Sequence, residues 1–353
     1  MFNVRFSLLF CVVYVFSGFS LKAQDVKVSY EAMGKNYILK AENSSFYPYT
    51  IQIVFTKLTG ASGMTTDVPY ISVAGNGISR LLTLKREVEE VPVGFAYQSR
   101  SYRGNWKTDS DSSFVYLPPV APGKKVDIHI LTSLEDFFQR DRKGKKVTGL
   151  AFRMNEGDTV YAMRGGLVCD VHQYQASEAE KPGSRVYART ENYVVVYHKD
   201  GSFATYKLFK NEGVFVEPGE NIEAGEPIGV IGGNNYRQGA HLRLQMSGCF
   251  GDSDKDYAIE GRAYHSFIPI IAVNESETCK PDGQTAQFES SHPADLIMKE
   301  MSKREKKQYL KKMNGTLSKI LCKWKQDSVV SLFLYLNSVF KHKHKLIHNQ
   351  APV

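Results

Sequence analysis

GVFVEPGENIEAGEPIGVIGG, residues Gly213–Gly233, is the stretch whose reading decides the fold. Short apolar runs are separated by glycines, and no helical spacing survives across it, so it reads as brief strands joined by tight turns. Gly219, Gly225 and Gly229 interrupt it, and glycine serves wherever a turn needs a positive φ or a close backbone approach. Working outward, GDTVYAMRGG (Gly157–Gly166) and ENYVVVYHKDGSFATYKL (Glu191–Leu208) precede it, and GAHLRLQM (Gly239–Met246) follows. Val, Ile, Tyr and Phe are enriched from Val147 to about Val273, with glycine every several residues, which predicts an all-β domain.

Upstream, VKVSY, NYILKAEN, TIQIVFTKL and KKVDIHIL alternate over short runs, broken by Gly34, Gly60, Gly63, Gly75, Gly77, Pro118-Pro119 and Pro122-Gly123. They predict an Ig-like β-sandwich over residues 24–132. The charged stretch Ser133–Lys146 leads into the second domain, taken as 133–278. Past Pro281, PADLIMKEMSKREKKQYLKKM and the spacing of Leu317, Ile320, Leu321 and Trp324 predict helices, so residues 279–353 form a basic helical region.

With 353 residues, 42% hydrophobic and 12% aromatic, the chain holds about two packed domains. Arg5, the apolar run Leu8–Phe19 and Ala23 before Gln24 read as a secretory signal over residues 1–23, and the run is shorter than a bilayer span. Export leaves Cys169, Cys249, Cys279 and Cys322, whose spacings match no zinc knuckle; Cys169 with Cys249 is the expected pair if disulfides form. Of the net charge of +8, the segment Leu296–Val353 carries +10, so the remainder is nearly neutral. That tail suits anionic envelope surfaces or a solvated helix face, and export argues against nucleic acid. KHKHK, Lys341–Lys345, reads as part of the solvated face, and the apolar run Val329–Phe340 is too short to span a membrane.

In order, the four quoted segments resemble the lysostaphin-type (LytM-like) zinc murein endopeptidases over about a hundred residues. The resemblance implies an antiparallel barrel-sandwich-like β domain of the cell envelope that cuts peptidoglycan cross-links with one zinc ion. The Gly213–Gly233 segment also looks like the hairpin of biotinyl and lipoyl carriers, but no modifiable Lys occurs between Phe215 and Ile231.

The family's ligands are a His and an Asp in an HxGxD motif and the second His of an HxH strand. Carried over, the first motif reads VTGLA, with Val147 at the His position and Ala151 at the Asp position; the strand HLRLQM keeps His241 but has Arg243 at the ligand position. The further histidine of the family is replaced by Lys207 within TYKL, and His198 matches a residue that is not a ligand there. His241 alone survives, matching a histidine that stabilises the transition state. Arg cannot coordinate zinc, so no metal site and no catalytic residue are expected.

Alternation places His241, Arg243 and Gln245 on one face, and with Lys207 and Tyr206 they make a candidate groove for the carboxylates of peptidoglycan stem peptides. The leading expectation is a non-catalytic LytM-like envelope protein that binds peptidoglycan or regulates a cell-wall hydrolase, without a cofactor. Two alternatives stand beside it. One is an active zinc endopeptidase drawing ligands from His241 with His198 or Asp158; the other is a purely architectural envelope module.

Overall fold

Alternation in the first hundred residues folds into two antiparallel sheets of three strands. The computed structural model describes residues 25–131, 149–173, 192–232, 239–252, 258–282 and 286–312. Strands β1 (Val26–Met33), β2 (Asn36–Asn43) and β5 (Gly77–Leu84) pair in the order β1-β2-β5, while β4 (Pro69–Ala74), β3 (Tyr49–Thr59) and β6 (Gly94–Arg103) pair as β4-β3-β6. Leu39, Ile51, Ile53, Phe55 and Leu84 are buried between them. This is a β-sandwich with three strands per sheet, where the constant immunoglobulin domain has four and three.

KKVDIHIL joins a different sheet from the one its sequence reading gave it. As β8 (Lys125–Leu131) it pairs with β9 (Gly149–Arg153), His129 standing across from Ala151. Alternation fixes which side chains share a face but not which sheet a strand enters, and here the sheet extends back past residue 132. That sheet has nine strands. Its main path runs β15 (Asn221–Ile222), β11 (Gly166–His172), β12 (Tyr193–Tyr197), β13 (Phe203–Lys207), β17 (His241–Gly251), β9, β8 and β21 (Ala286–Glu289), with β18 (Arg262–Phe267) also on β17. A second sheet, β10 (Thr159–Tyr161), β16 (Pro227–Ile231) and β14 (Phe209–Val214), packs on one face of it. Between them lie Leu150, Phe152, Tyr206, Leu242 and Leu244 on one side and Val160, Phe209, Ile228 and Ile231 on the other. A smaller sheet joins β7 (Val115–Tyr116) in parallel to β19 (Ile270–Ala272), which pairs with β20 (Thr278–Cys279). The protein is mainly β, and among the described residues no sheet closes into a barrel.

The other face of the large sheet is partly covered by the sandwich. Cys169, Val195 and Phe203 project from it into the sandwich core, and Phe203 meets Tyr47 and Tyr264 with ring centroids 5.9 and 5.6 Å apart. Each such buried side chain contributes about 1.5–3 kcal/mol. The turn at Gly219 lies under this contact. Its φ is +94°, and a Cβ there would sit 2.5 Å from the Phe46 ring. Gly229 answers the second demand, close approach, because a Cβ would stand 2.6 Å from the Gly213 carbonyl oxygen.

Helix is confined to the C-terminal part of the described chain, as α1 (Ala294–Ile297) and helical residues 303–312. Among the described residues no helix is long and apolar enough to cross a membrane. The signal segment, the Ser133–Lys146 stretch, KHKHK and Val329–Phe340 lie outside the described residues.

Candidate functional site

Register places the predicted residues in one row. Tyr193 on β12 stands across from Lys207 on β13, Lys207 from Arg243 on β17, Arg243 from Ala151 on β9, and Ala151 from His129 on β8. Because neighbouring strands lie about 4.8 Å apart, these five residues are cross-strand neighbours on one face. Gln245 belongs to the adjoining row across from Thr205, and His241 to the row on the other side, across from Arg153.

Tyr206 does not join them. It is fully buried on the opposite face, across from Leu244, and its hydroxyl accepts a hydrogen bond from the Met163 amide at 2.9 Å. The period of two that turns Lys207 outward turns its neighbour inward, and burial pushes the Tyr206 phenol above its ordinary pKa.

His241 is 4% exposed, and both ring nitrogens are engaged. Nδ1 lies 2.8 Å from the Gly239 carbonyl oxygen, and Nε2 lies 3.1 Å from Nε of Arg243. A carbonyl only accepts and a guanidinium only donates, so Nδ1 carries the proton and the lone pair of Nε2 is held by Arg243. A carboxylate, Asp127 on β8, stands beside the row. Its Oδ1 is 3.1 Å from Nε2 of His129, and its Oδ2 is 3.8 Å from Nε of Arg153.

A profile of peptidase family M23 matches residues 145–254, about a third of the chain. Those residues form an M23 peptidase-family domain. It contains every position of the row except His129. Solved structures similar to the chain include the catalytic domain, in mutant form, of the prophage-encoded M23 protein EnpA of Enterococcus faecalis. It is 18% identical, over 40% of this chain and 85% of that one, with a TM-score of 0.23. A peptidase M23 of Pseudomonas aeruginosa is 13% identical, over 56% and 82%, at 0.26. A zinc-containing peptidase of Vibrio cholerae is 17% identical, over 60% and 52%, at 0.23. No curated protein matches the chain.

The side chains that the family resemblance sets at and beside its zinc positions do not fit a zinc ion. Ala151 has no donor atom, Arg243 and Lys207 are cations, and the Nε2 lone pair of His241 faces a guanidinium. Val147 lies outside the described residues, and its side chain has no donor either. His198 and Asp158 do not supply the missing ligands. By register His198 stands across from Ser202, one residue beyond the Phe203–Ser247 pair and so about seven residues along β17 from His241, or roughly 23 Å. Asp158 is held by Nζ of Lys124 at 2.7 Å and by the Asn155 amide at 2.9 Å.

The cysteines also differ from expectation. Cys169 and Cys249 are buried free thiols rather than a pair. Cys169 Sγ donates to the Phe46 carbonyl at 3.3 Å, whereas Cys249 packs beside Ser110, whose hydroxyl accepts its amide at 2.9 Å. Burial raises both, Cys169 to about 12 and Cys249 to about 11. They fill space on different contacts. His172 stacks on Tyr193 at 5.4 Å and His265 meets Asp252 at 2.8 Å, both structural contacts.

Sequence reading missed a buried ionic cluster at the far end of the sheet. Arg164, 3% exposed, reaches Oδ2 of Asp200 at 3.0 Å and both carboxylate oxygens of Glu300 at 2.6 and 2.7 Å, and stacks 3.7 Å over Phe114. Burial acts to lower its pKa, but the Glu300 hydrogen bonds and the Asp200 charge outweigh it and the guanidinium is raised. His198 is enclosed beside this cluster. Its Nδ1 is 3.0 Å from the Gly165 carbonyl, Nε2 has no hydrogen-bond partner among the described residues, and burial followed by the Arg164 charge lowers it to about 4. The only signal in the sequence was a lone Arg inside the apolar segment VYAMRGG.

Proposed function

We propose that this is an exported, non-catalytic LytM-like protein that holds the carboxylate-bearing stem peptides of peptidoglycan on the outer face of its M23 domain. The observation that carries this reading is the in-register row Lys207–Arg243–Ala151, two cations and a donorless side chain where the family would hold a divalent cation. Arginine grips a carboxylate through two parallel hydrogen bonds and lysine adds a point charge. The row therefore favours anionic peptide over metal. Exposed lysines and arginines of residues 303–312 add attraction to anionic envelope surfaces.

The test pairs sedimentation with insoluble peptidoglycan and metal analysis of the purified protein. Wild type is expected to co-sediment, to carry substoichiometric zinc and to release no fragments, and folded Lys207→Glu/Arg243→Glu protein to stay in the supernatant. One tightly held zinc with hydrolysis that disappears in His241→Ala would overturn the proposal, as would unchanged co-sedimentation of the charge-reversed protein.

A further inference from the structure

A cleft of about 590 Å³ lies between the sandwich and the large sheet, lined by Asp25, Tyr47, Tyr49, Arg103, Cys169 and Asp170. That is within the size range of small-ligand sites, roughly 300–1,000 Å³. Its polar groups are held in place. Tyr49 donates its hydroxyl to Oδ2 of Asp25 at 2.5 Å, and Arg103 lies 3.9 Å from the same oxygen with its guanidinium 4.0 Å over the Tyr47 ring. Tyr47 and Tyr193 donate to Oδ2 of Asp170 at 3.4 and 3.1 Å. Among the described residues no hydrogen bond reaches Oδ1 of Asp170. Two carboxylates against one guanidinium give the cleft a formal charge of −1.

Tyr193 connects this cleft to the cationic row, since it stands across from Lys207 and bonds Asp170 with its hydroxyl. From Arg243 on β17 to Asp170 on β11 is three strand spacings with an offset of two residues along the strand, since Asp170 stands across from Val195, roughly 16 Å in all. An extended peptide covers that span in about five residues. The face thus carries positive charge at one end and negative charge at the other.

The geometry points to the interdomain cleft as an ammonium site, which takes the free amine of a short peptide whose carboxylates lie on Lys207 and Arg243. This deepens the proposed function and rests on it for the carboxylate end only. A primary ammonium matches the cleft in sign and offers three donors to the Asp170 and Asp25 carboxylates. The sandwich domain then forms one wall of the binding site.

The experiment titrates the full exported chain with two synthetic tetrapeptides, both N-terminally acetylated, each carrying two carboxylates and one lysine, the second acetylated on Nζ. n-Butylamine, followed by NMR shift changes, probes the cleft alone. Wild type is expected to bind the free-amine peptide about tenfold more tightly than its acetylated twin. Asp170→Asn, which keeps an acceptor for both phenols, and separately Asp25→Asn should erase that preference. Lys207→Glu/Arg243→Glu should weaken both peptides while the butylamine shifts persist. Equal affinity of wild type for the two peptides overturns the ammonium site and leaves the carboxylate groove standing. Butylamine shifts that depend on Asp170, without binding of either peptide, support the cleft and overturn the groove. Silence from all three probes overturns both.

Discussion

Nε of Arg243 donates to Nε2 of His241 at 3.1 Å, so the residue that the family resemblance sets at a zinc-ligand position occupies the lone pair of its own neighbour two residues away. A metal approaching His241 would have to displace a guanidinium before it met the imidazole. Substitution can reverse this. The triple variant Val147→His/Ala151→Asp/Arg243→His supplies three ligands and removes one cation, and is expected to bind one zinc per chain by elemental analysis. Arg243→His alone should remain substoichiometric, because Ala151 and Val147 still offer nothing. Tight zinc in that single variant would show that other residues complete a site.

Tyr206→Phe should separate stability from binding. It leaves the Met163 amide without its acceptor in a fully buried position, a loss of about 1–3 kcal/mol that a thermal melt reads. Peptidoglycan co-sedimentation should not change, because the ring faces the core. Lost binding at full stability would return Tyr206 to the groove.

Arg164→Ala is expected to destabilise by about 3 kcal/mol, since it removes the counter-charge of the Asp200 carboxylate, 13% exposed, and the stack on Phe114. Glu300→Ala should have the smaller effect, because its side chain is 27% exposed and Asp200 still neutralises the guanidinium. Chemical denaturation of the two variants gives the comparison, and equal losses would contradict it.

His198 sets an acid limit. Its pKa falls from 6.5 to about 4 on folding, chiefly by burial, so between those values the unfolded chain binds a proton that the folded chain refuses. Stability therefore drops as pH falls from about 6.5 towards 4, by up to about 3 kcal/mol. Melting temperatures at pH 7.5 and 4.5 should differ less in His198→Gln than in wild type, and an equal difference would assign the acid sensitivity elsewhere.

The legible part of this protein was what local period encodes. Turns at Gly219 and Gly225, the strand character of the Gly213–Gly233 stretch and the shared face of His241, Arg243 and Gln245 all follow from spacing within one segment. The same period excludes Tyr206 from the face of Lys207, and grouping the two by sequence proximity overrode it. Sheet membership was illegible for Lys125–Leu131, whose alternation is the same on a sandwich edge or beside β9. Contacts such as Tyr47 with Asp170, 123 residues apart, and Arg164 with Glu300, 136 apart, are set by how domains dock and leave no local pattern.

β8 and β18 flank the M23 domain on strands that lie outside residues 145–254. A fragment cut at those limits would bare the ladder groups of β9 where Lys125–Leu131 had paired and of β17 where Arg262–Phe267 had paired. Unpaired edges of that kind recruit strands from other molecules. The stretch that ancestry makes recognisable is thus narrower than the stretch that folds, and any excised version must carry residues 115–131 and 258–289 with it to remain monodisperse.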